Sequence, residues 1–348
     1  MNRQTRVFDQ AHLEEGIEYG AQVIRQGGLV AMPTETVYGL GADAFQVEAV
    51  KSIFKAKGRP ADNPLIVHIA SLGDVARLSS QICPSAQRLM DEFWPGPLTI
   101  ILPKRQEVPL EVSGGLATVA VRFPSHPAAR ELIAKSGRLI AAPSANLSGR
   151  PSPTCAQHVI DDMMGKVDVI LDGGACPVGL ESTVVDCTGA VPVVLRPGAI
   201  TPNMIQRAAG DVAVSRAVLE GVPEGEKAAS PGMKYKHYAP KAAVYVVSGK
   251  NSEEIAYKIK LRYDNDIKCG KIVLIICDKL RESAYGSRNT LSFGGEGSVE
   301  LLAKNLFAIL READKKNVDV IYFEELKDDQ LGLAIMNRVI RAAGFCII

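Results

Sequence analysis

Lys55-Ala56-Lys57-Gly58-Arg59-Pro60 places three cations within five residues. A basic last helical turn complements the helix dipole, which accounts for Lys55. Arg59 lies beyond such a turn, held between Gly58 and Pro60. Rigid Arg and Lys side chains converging on one point suit a chain of phosphates. A second cluster is Pro33-Thr34-Glu35-Thr36-Val37-Tyr38-Gly39-Leu40, where hydroxyls, a carboxylate and a phenol follow an apolar strand-like run. Strand exits are where α/β sheets bind ligands, although a polar turn has the same composition. Arg122 closes the apolar run Thr118–Phe123. It reads either as half of an internal ion pair or as a fork for a carboxylate. In Pro143-Ser144-Ala145-Asn146-Leu147-Ser148-Gly149, Ser144 and Asn146 are two apart and share a side of an extended chain. A purely local Asx or Ser turn is the alternative. Glu181-Ser182-Thr183 and Leu195-Arg196-Pro197-Gly198 again set polar groups beside strands.

Other chemistries find no support. Gly39-Leu40-Gly41-Ala42-Asp43-Ala44 matches a dinucleotide fingerprint in letters, but the acidic strand end expected about 20 residues on is replaced by the turn-like Arg59–Pro64. There is no phosphate-binding G-x-x-x-x-G-K-[ST] loop, no H-E-x-x-H and no acidic cluster for a metal cage. His68 stands alone in a strand and reads as a core residue; His12, His126 and His158 fall on helical segments and read as surface or structural. The seven cysteines form no C-x-x-C pair, so they read as small buried hydrophobes of a reducing, cytoplasmic protein. Neither a signal peptide nor a membrane-spanning run is present, and the net charge of +1 argues against a surface that coats nucleic acid.

The 348 residues predict two domains. Strands are expected at Leu29–Pro33, Leu65–Ala70, Leu98–Leu102, Thr118–Phe123, Leu139–Ala142, Val167–Leu171, Ser182–Cys187 and Val191–Leu195. Helices are expected from Leu13 to Ile24 and at Val47–Lys57, Ser85–Phe93, Pro127–Ser136, Thr154–Met164 and Pro202–Ala209. Strands that follow one another without a helix between them imply a mixed sheet. Residues 216–241 lack apolar periodicity and read as a linker. Beyond it, Ala243–Val247, Lys271–Cys277 and Val318–Phe323 read as strands, Val299–Arg311 and Leu333–Ala343 as helices, giving a small three-layer α/β domain. The boundaries are thus 1–215, 216–241 and 242–348.

Taken in order, the runs Pro33–Gly41, Lys57-Gly58-Arg59 with Asn63-Pro64-Leu65, Pro143–Gly149 and Glu181-Ser182-Thr183 resemble the YrdC/TsaC threonylcarbamoyl-AMP synthases over residues 10–210. Ser230–Pro240 is similar to the linker of that family's long, two-domain branch. The resemblance implies an open, twisted YrdC-like α/β sheet followed by a small Rossmann-like domain. It also implies a reaction: L-threonine, bicarbonate and ATP give threonylcarbamoyl-AMP and pyrophosphate, the first step of N6-threonylcarbamoyladenosine formation in tRNA. Lys57, Arg59, Ser144 and Asn146 would then be the signature residues of catalysis. Thr36, His68, Arg122, Ala142 and Ser182 would line the threonine site. Arg59, Asn63, Thr118, Ser144, Ser152, Arg196, Tyr235 and His237 would contact ATP. Mg²⁺ would be held by phosphates and water, with no protein ligand, and a tRNA threonylcarbamoyl transferase would take the product. Residues 230–240, cationic and aromatic between Pro-Gly and Pro, would act as a lid. An RNA-binding module and a carbamoyl transferase of the hydrogenase-maturation type are the alternatives; the low net charge and the missing C-x-x-C motifs weigh against them.

Overall fold

The structure is a computed structural model that describes residues 3–61, 63–220, 238–293, 298–327 and 330–348. They group into two compact units: the second comprises residues 149–151 and those from 238 onward, and the first the remainder.

In the first unit the strands are β1 (Arg6–Phe8), β2 (Val30–Met32), β3 (Gly39–Asp43), β4 (Ile66–His68), β5 (Leu98–Pro103), β6 (Thr118–Arg122), β7 (Ile140–Ala142), β8 (Val169–Leu171), β9 (Thr183–Asp186), β10 (Val193–Arg196) and β11 (Ala213–Val214). They form one mixed sheet in the order β1-β8-β2-β3-β7-β4-β6-β5-β9-β10-β11. The helices are α1 (Leu13–Arg25), α2 (Val47–Lys57), α3 (Pro84–Phe93), α4 (Leu110–Ser113), α5 (Pro127–Ser136), α6 (Ala156–Met163), α7 (Pro202–Ala209) and α8 (Ala217–Glu220).

Strand alternation gives this sheet two different faces. Val67, Ile100, Val121, Ala141, Val185 and Val194 point to one, where they form a large core with Ile53, Phe54, Leu89 and Ile205 of the helices. The other carries two rows fixed by register. Ile101, Ala120, Ile66 and Ala142 pair across β5, β6, β4 and β7; one step along, Thr99, Arg122 and His68 pair in the same way. Ile66, Ile101 and Ala120 of the first row form a small apolar floor with Val184 and Leu195, while Ala142 joins the cluster of Ile17 and Leu132. The second row is polar.

Some local readings hold and others give way. Gly39–Asp43, which matches a dinucleotide fingerprint in letters, is an antiparallel strand between β2 and β7, so no phosphate loop forms there. α8 lies inside the stretch read as linker, and its Val218 is buried. His158 is buried within α6. Cys176, Cys187 and Cys277 are buried thiols, but Cys269 is exposed.

The second unit contains β12 (Ala243–Val247), α9 (Ser252–Lys268), β13 (Val273–Asp278), β14 (Thr290–Phe293), α10 (Ser298–Lys315), β15 (Val320–Glu324) and α11 (Leu331–Ala342). Its four strands pair in parallel in the order β12-β15-β13-β14. Continuous apolar runs such as Val273–Cys277 suit a parallel sheet buried on both faces. Among the described residues, no helix is long and apolar enough to cross a membrane.

Candidate active site

The signature cations sit where α2 stops. Gly58 takes the left-handed conformation at φ 61°. The Arg59 amide then donates to Phe54 O at 3.0 Å and the Gly58 amide to Lys55 O at 3.3 Å. This Schellman closure fixes the backbone of Arg59. The Arg59 guanidinium turns back to the carbonyls of Asn63 and Pro64, at 3.4 and 3.3 Å. Lys57 is only 3% exposed, and its Nζ donates to the carbonyls of Ser144 and Asn146. Its ammonium therefore braces the turn after β7. Within that turn Ser144 Oγ donates to Asn146 Oδ1 at 2.5 Å. Asn63 is 1% exposed, and its amide side chain makes no hydrogen bond to the described residues. A buried carboxamide with unused donors and acceptors has hydrogen bonds to offer to water or a polar ligand. Thr118 begins β6, paired in register opposite Pro103 of β5.

The polar row forms a second cluster. Thr34 and Thr36 hydroxyls meet at 2.9 Å in the turn after β2. Between them Glu35 reaches Arg122, Oε1 to Nη2 at 2.8 Å. Burial alone would raise the Glu35 carboxyl; the Arg122 guanidinium beside it outweighs that effect and holds it below the usual carboxylate range. His68 is buried next to Arg122. Burial first, and then that positive charge, push its pKa down to about 3, so its ring is neutral. Ala142 presents only a methyl group to this face.

A third cluster joins β5, β9 and β10. Ser182 Oγ meets Thr99 Oγ1 at 2.7 Å and accepts from Arg196 Nη2 at 3.0 Å. Arg196 Nε also donates to Ser182 O at 3.0 Å. Ser152 Oγ donates to the buried Glu181 carboxylate. Tyr235 and His237 lie outside the described residues, as does most of the expected lid.

Sequence reasoning thus picks out side chains that the fold gathers into three neighbouring groups. It missed Glu35, Thr99 and Glu181 as members. The first and last lie inside quoted motifs and could have been marked as carboxylates beside cations. Thr99 carries no local signal, because only strand register brings it to Ser182.

The chain is similar to known proteins along most of its length. Residues 22–198 match the family described as telomere recombination, named for Sua5, YciO and YrdC; residues 200–344 match the threonylcarbamoyl-AMP synthase C-terminal domain. A threonylcarbamoyl-AMP synthase of Pyrococcus abyssi is 48% identical over 332 residues, 95% of each chain. The chain belongs to the threonylcarbamoyl-AMP synthase family. A member from Bacillus subtilis is 45% identical over 94% of this chain and 93% of its own. The crystal structure of P. abyssi Sua5 complexed with L-threonine superposes with a TM-score of 0.91, at 46% identity, over 99% of this chain and 98% of that one. As a threonylcarbamoyl-AMP synthase family member the chain is an enzyme, a transferase that makes an adenylate.

Proposed function

We propose that this chain condenses L-threonine, bicarbonate and ATP into threonylcarbamoyl-AMP, releasing pyrophosphate. The observation that carries the reading is the direct contact of Ser182 with Arg196. By resemblance the first belongs to the threonine site and the second to the ATP site, so the two sites share a wall. The reaction needs that adjacency. Threonine's ammonium first gives up a proton, and the free amine then condenses with bicarbonate to a carbamate with loss of water. A carbamate oxygen then attacks the α-phosphorus, and pyrophosphate leaves with the bonding electrons. Such chemistry depends on positioning and on cations at the developing charge more than on a covalent nucleophile.

In this reading Arg122 grips the threonine carboxylate, with neutral His68, Thr36, Ala142 and Ser182 around it. Arg59, Asn63, Thr118, Ser144, Ser152 and Arg196 contact the nucleotide. Lys57 acts through the turn of Ser144 and Asn146, since its Nζ is already held by their carbonyls. The side chains assigned to the nucleotide are hydroxyls, amides and cations, and the Glu181 carboxylate beside them already accepts from Ser152, so Mg²⁺ would travel with ATP on phosphate oxygens and water. The product would pass, in the cytoplasm, to a transferase acting on tRNA. The test is pyrophosphate release from ATP with threonine and bicarbonate supplied or withheld. Release that requires both supports the reading; release indifferent to threonine overturns it.

A further inference from the structure

Glu35 has no role in the reading above, yet it is placed as though it had one. It lies in the turn between β2 and β3, 5% exposed, against an Arg122 that is 4% exposed. The Nη2 to Oε1 distance is 2.8 Å, but among the described residues neither Glu35 oxygen makes a hydrogen bond of ordinary geometry, and neither do Nε and Nη2 of Arg122. Structural ion pairs survive burial when aligned hydrogen bonds satisfy both partners. The pair keeps its charges in contact while lone pairs of Glu35 and two guanidinium nitrogens of Arg122 lack an aligned partner among the described residues; the Ser125 and Glu35 backbone amides beside the carboxylate also favour its charged form.

The charge balance around the pair is simple. The titratable groups that sense Glu35 are Arg122, His68, His126 and Cys176. Burial, with Arg122 beside it, leaves His68 neutral; burial lowers His126 and pushes the Cys176 thiol up to about 12. One buried anion and one buried cation remain, side by side. A free α-amino acid has the complementary pattern, with a planar carboxylate and an ammonium on one carbon. The guanidinium fork suits the first and a carboxylate with open lone pairs suits the second.

We propose that Glu35 receives the α-ammonium of the amino-acid substrate while Arg122 takes its α-carboxylate, so that the pair reads the zwitterion at two points. This rests on the threonylcarbamoyl-AMP reading and adds the amine-recognising residue to it. Before substrate arrives, the two side chains neutralise each other. Afterwards each faces the opposite charge of the ligand, and the site's net charge is unchanged.

Calorimetric titration of the full-length protein tests the assignment, using L-threonine and 3-hydroxybutyrate, which is threonine without its amine. The unaltered protein should bind threonine at least about tenfold more tightly, the worth of a hydrogen bond to a charged group. Glu35→Gln should weaken threonine about 10- to 100-fold while leaving 3-hydroxybutyrate unchanged or tighter. If Glu35→Gln fails to fold, Glu35→Asp carries the test: it retains the charge and should keep part of the preference for threonine. Equal losses for both ligands would show that Glu35 only props Arg122, and overturn the assignment. Unchanged threonine binding in the Gln variant would also overturn it. An unaltered protein that ignores threonine would instead overturn the functional reading, and this assignment with it.

Discussion

Lys57 and Arg59 stand two residues apart and differ in what they touch, which makes their loss distinguishable. Lys57 is buried with its ammonium on two carbonyls of the turn after β7. Replacing it by Met leaves those carbonyls without a charged donor, which costs about 1–3 kcal/mol of stability as well as activity. Arg59→Ala should lower turnover about a hundredfold or more, the usual cost of one contact to developing charge, with a smaller change in melting temperature. Equal melting temperatures for both variants would refute the brace assigned to Lys57. His68 yields a pH prediction. Its folded pKa of about 3 lies below the ordinary 6.5, so the unfolded chain binds the extra proton first as pH falls. The neutral ring therefore favours the fold above pH 6.5, and that advantage shrinks on acidification by about 1.4 kcal/mol per pH unit. Glu35, lowered from 4.5, acts in the same direction only in more acidic solution, and His126 adds a background of the same sign. Unfolding free energies measured from pH 6.5 to 5 should fall less steeply in His68→Gln; identical slopes would mean that the buried ring protonates freely. At this scale the sequence is legible wherever one residue's type conflicts with its surroundings. Arg122 in an apolar run announces itself, whereas Glu35 in a polar turn does not, because its meaning comes from a partner 87 residues away in sequence.

Elements with two agreeing signals match their expected bounds. α5 and α7 each have proline in the first turn, and α2 and α5 each end on a left-handed glycine, so start or stop is chemically marked. β3 was hidden because two of its five residues are glycine, which weakens any strand pattern. α9 was hidden by polarity: Ile255, Ala256, Ile259 and Tyr263 are its buried residues, and charged side chains surround them. β1 has three residues, two of them exposed, too few to show alternation. A prediction at this level concerns the turn Leu195-Arg196-Pro197-Gly198. A Cβ on Gly198 would lie 2.6 Å from the Thr183 amide nitrogen and 2.9 Å from Glu181 O. Both are backbone atoms, so a side chain cannot be accommodated by a rotamer change. Thr183 Oγ1 also clamps this turn by donating to Ile200 O at 2.7 Å. Gly198→Ala should therefore pry β9 from the turn, separate Ser182 from Arg196, and cost activity and stability together. By contrast, a Cβ on Gly58 meets nothing within 4 Å. Gly58→Ala should cost only the left-handed backbone penalty, about 1 kcal/mol. If Gly198→Ala proves the milder of the two in both assays, the close approach at Ser182 is not what holds that wall of the site.

At the scale of the whole molecule, the hydrophobic clusters divide along the chain. The cluster around Leu40, Val67 and Ile100 and the one around Ile17, Ala21 and Leu132 are built from residues 8–212. The cluster around Ile259, Ile275 and Tyr322 is built from residues 245–348. The chain length and the change of composition near residue 216 lead to the expectation that the two groups are cores of separate domains. Every residue placed at the threonine site, Glu35 included, lies before residue 220. Two side chains that the resemblance gives to ATP, Tyr235 and His237, lie after it. A fragment ending at residue 220 should therefore separate the two halves of the reaction. It is expected to unfold in one cooperative transition and to bind threonine as the full chain does. Saturation at about 100 times the dissociation constant adds about 2.7 kcal/mol, and in a domain of this size that raises the melting temperature by roughly 5–10 °C. Pyrophosphate release should fall sharply in the same fragment, because part of the ATP contact is missing. The outcome that would sink this division is a fragment that melts without cooperativity, or one that folds but shows no threonine shift while the full chain does; either would mean that the amino-acid site needs the C-terminal unit to exist.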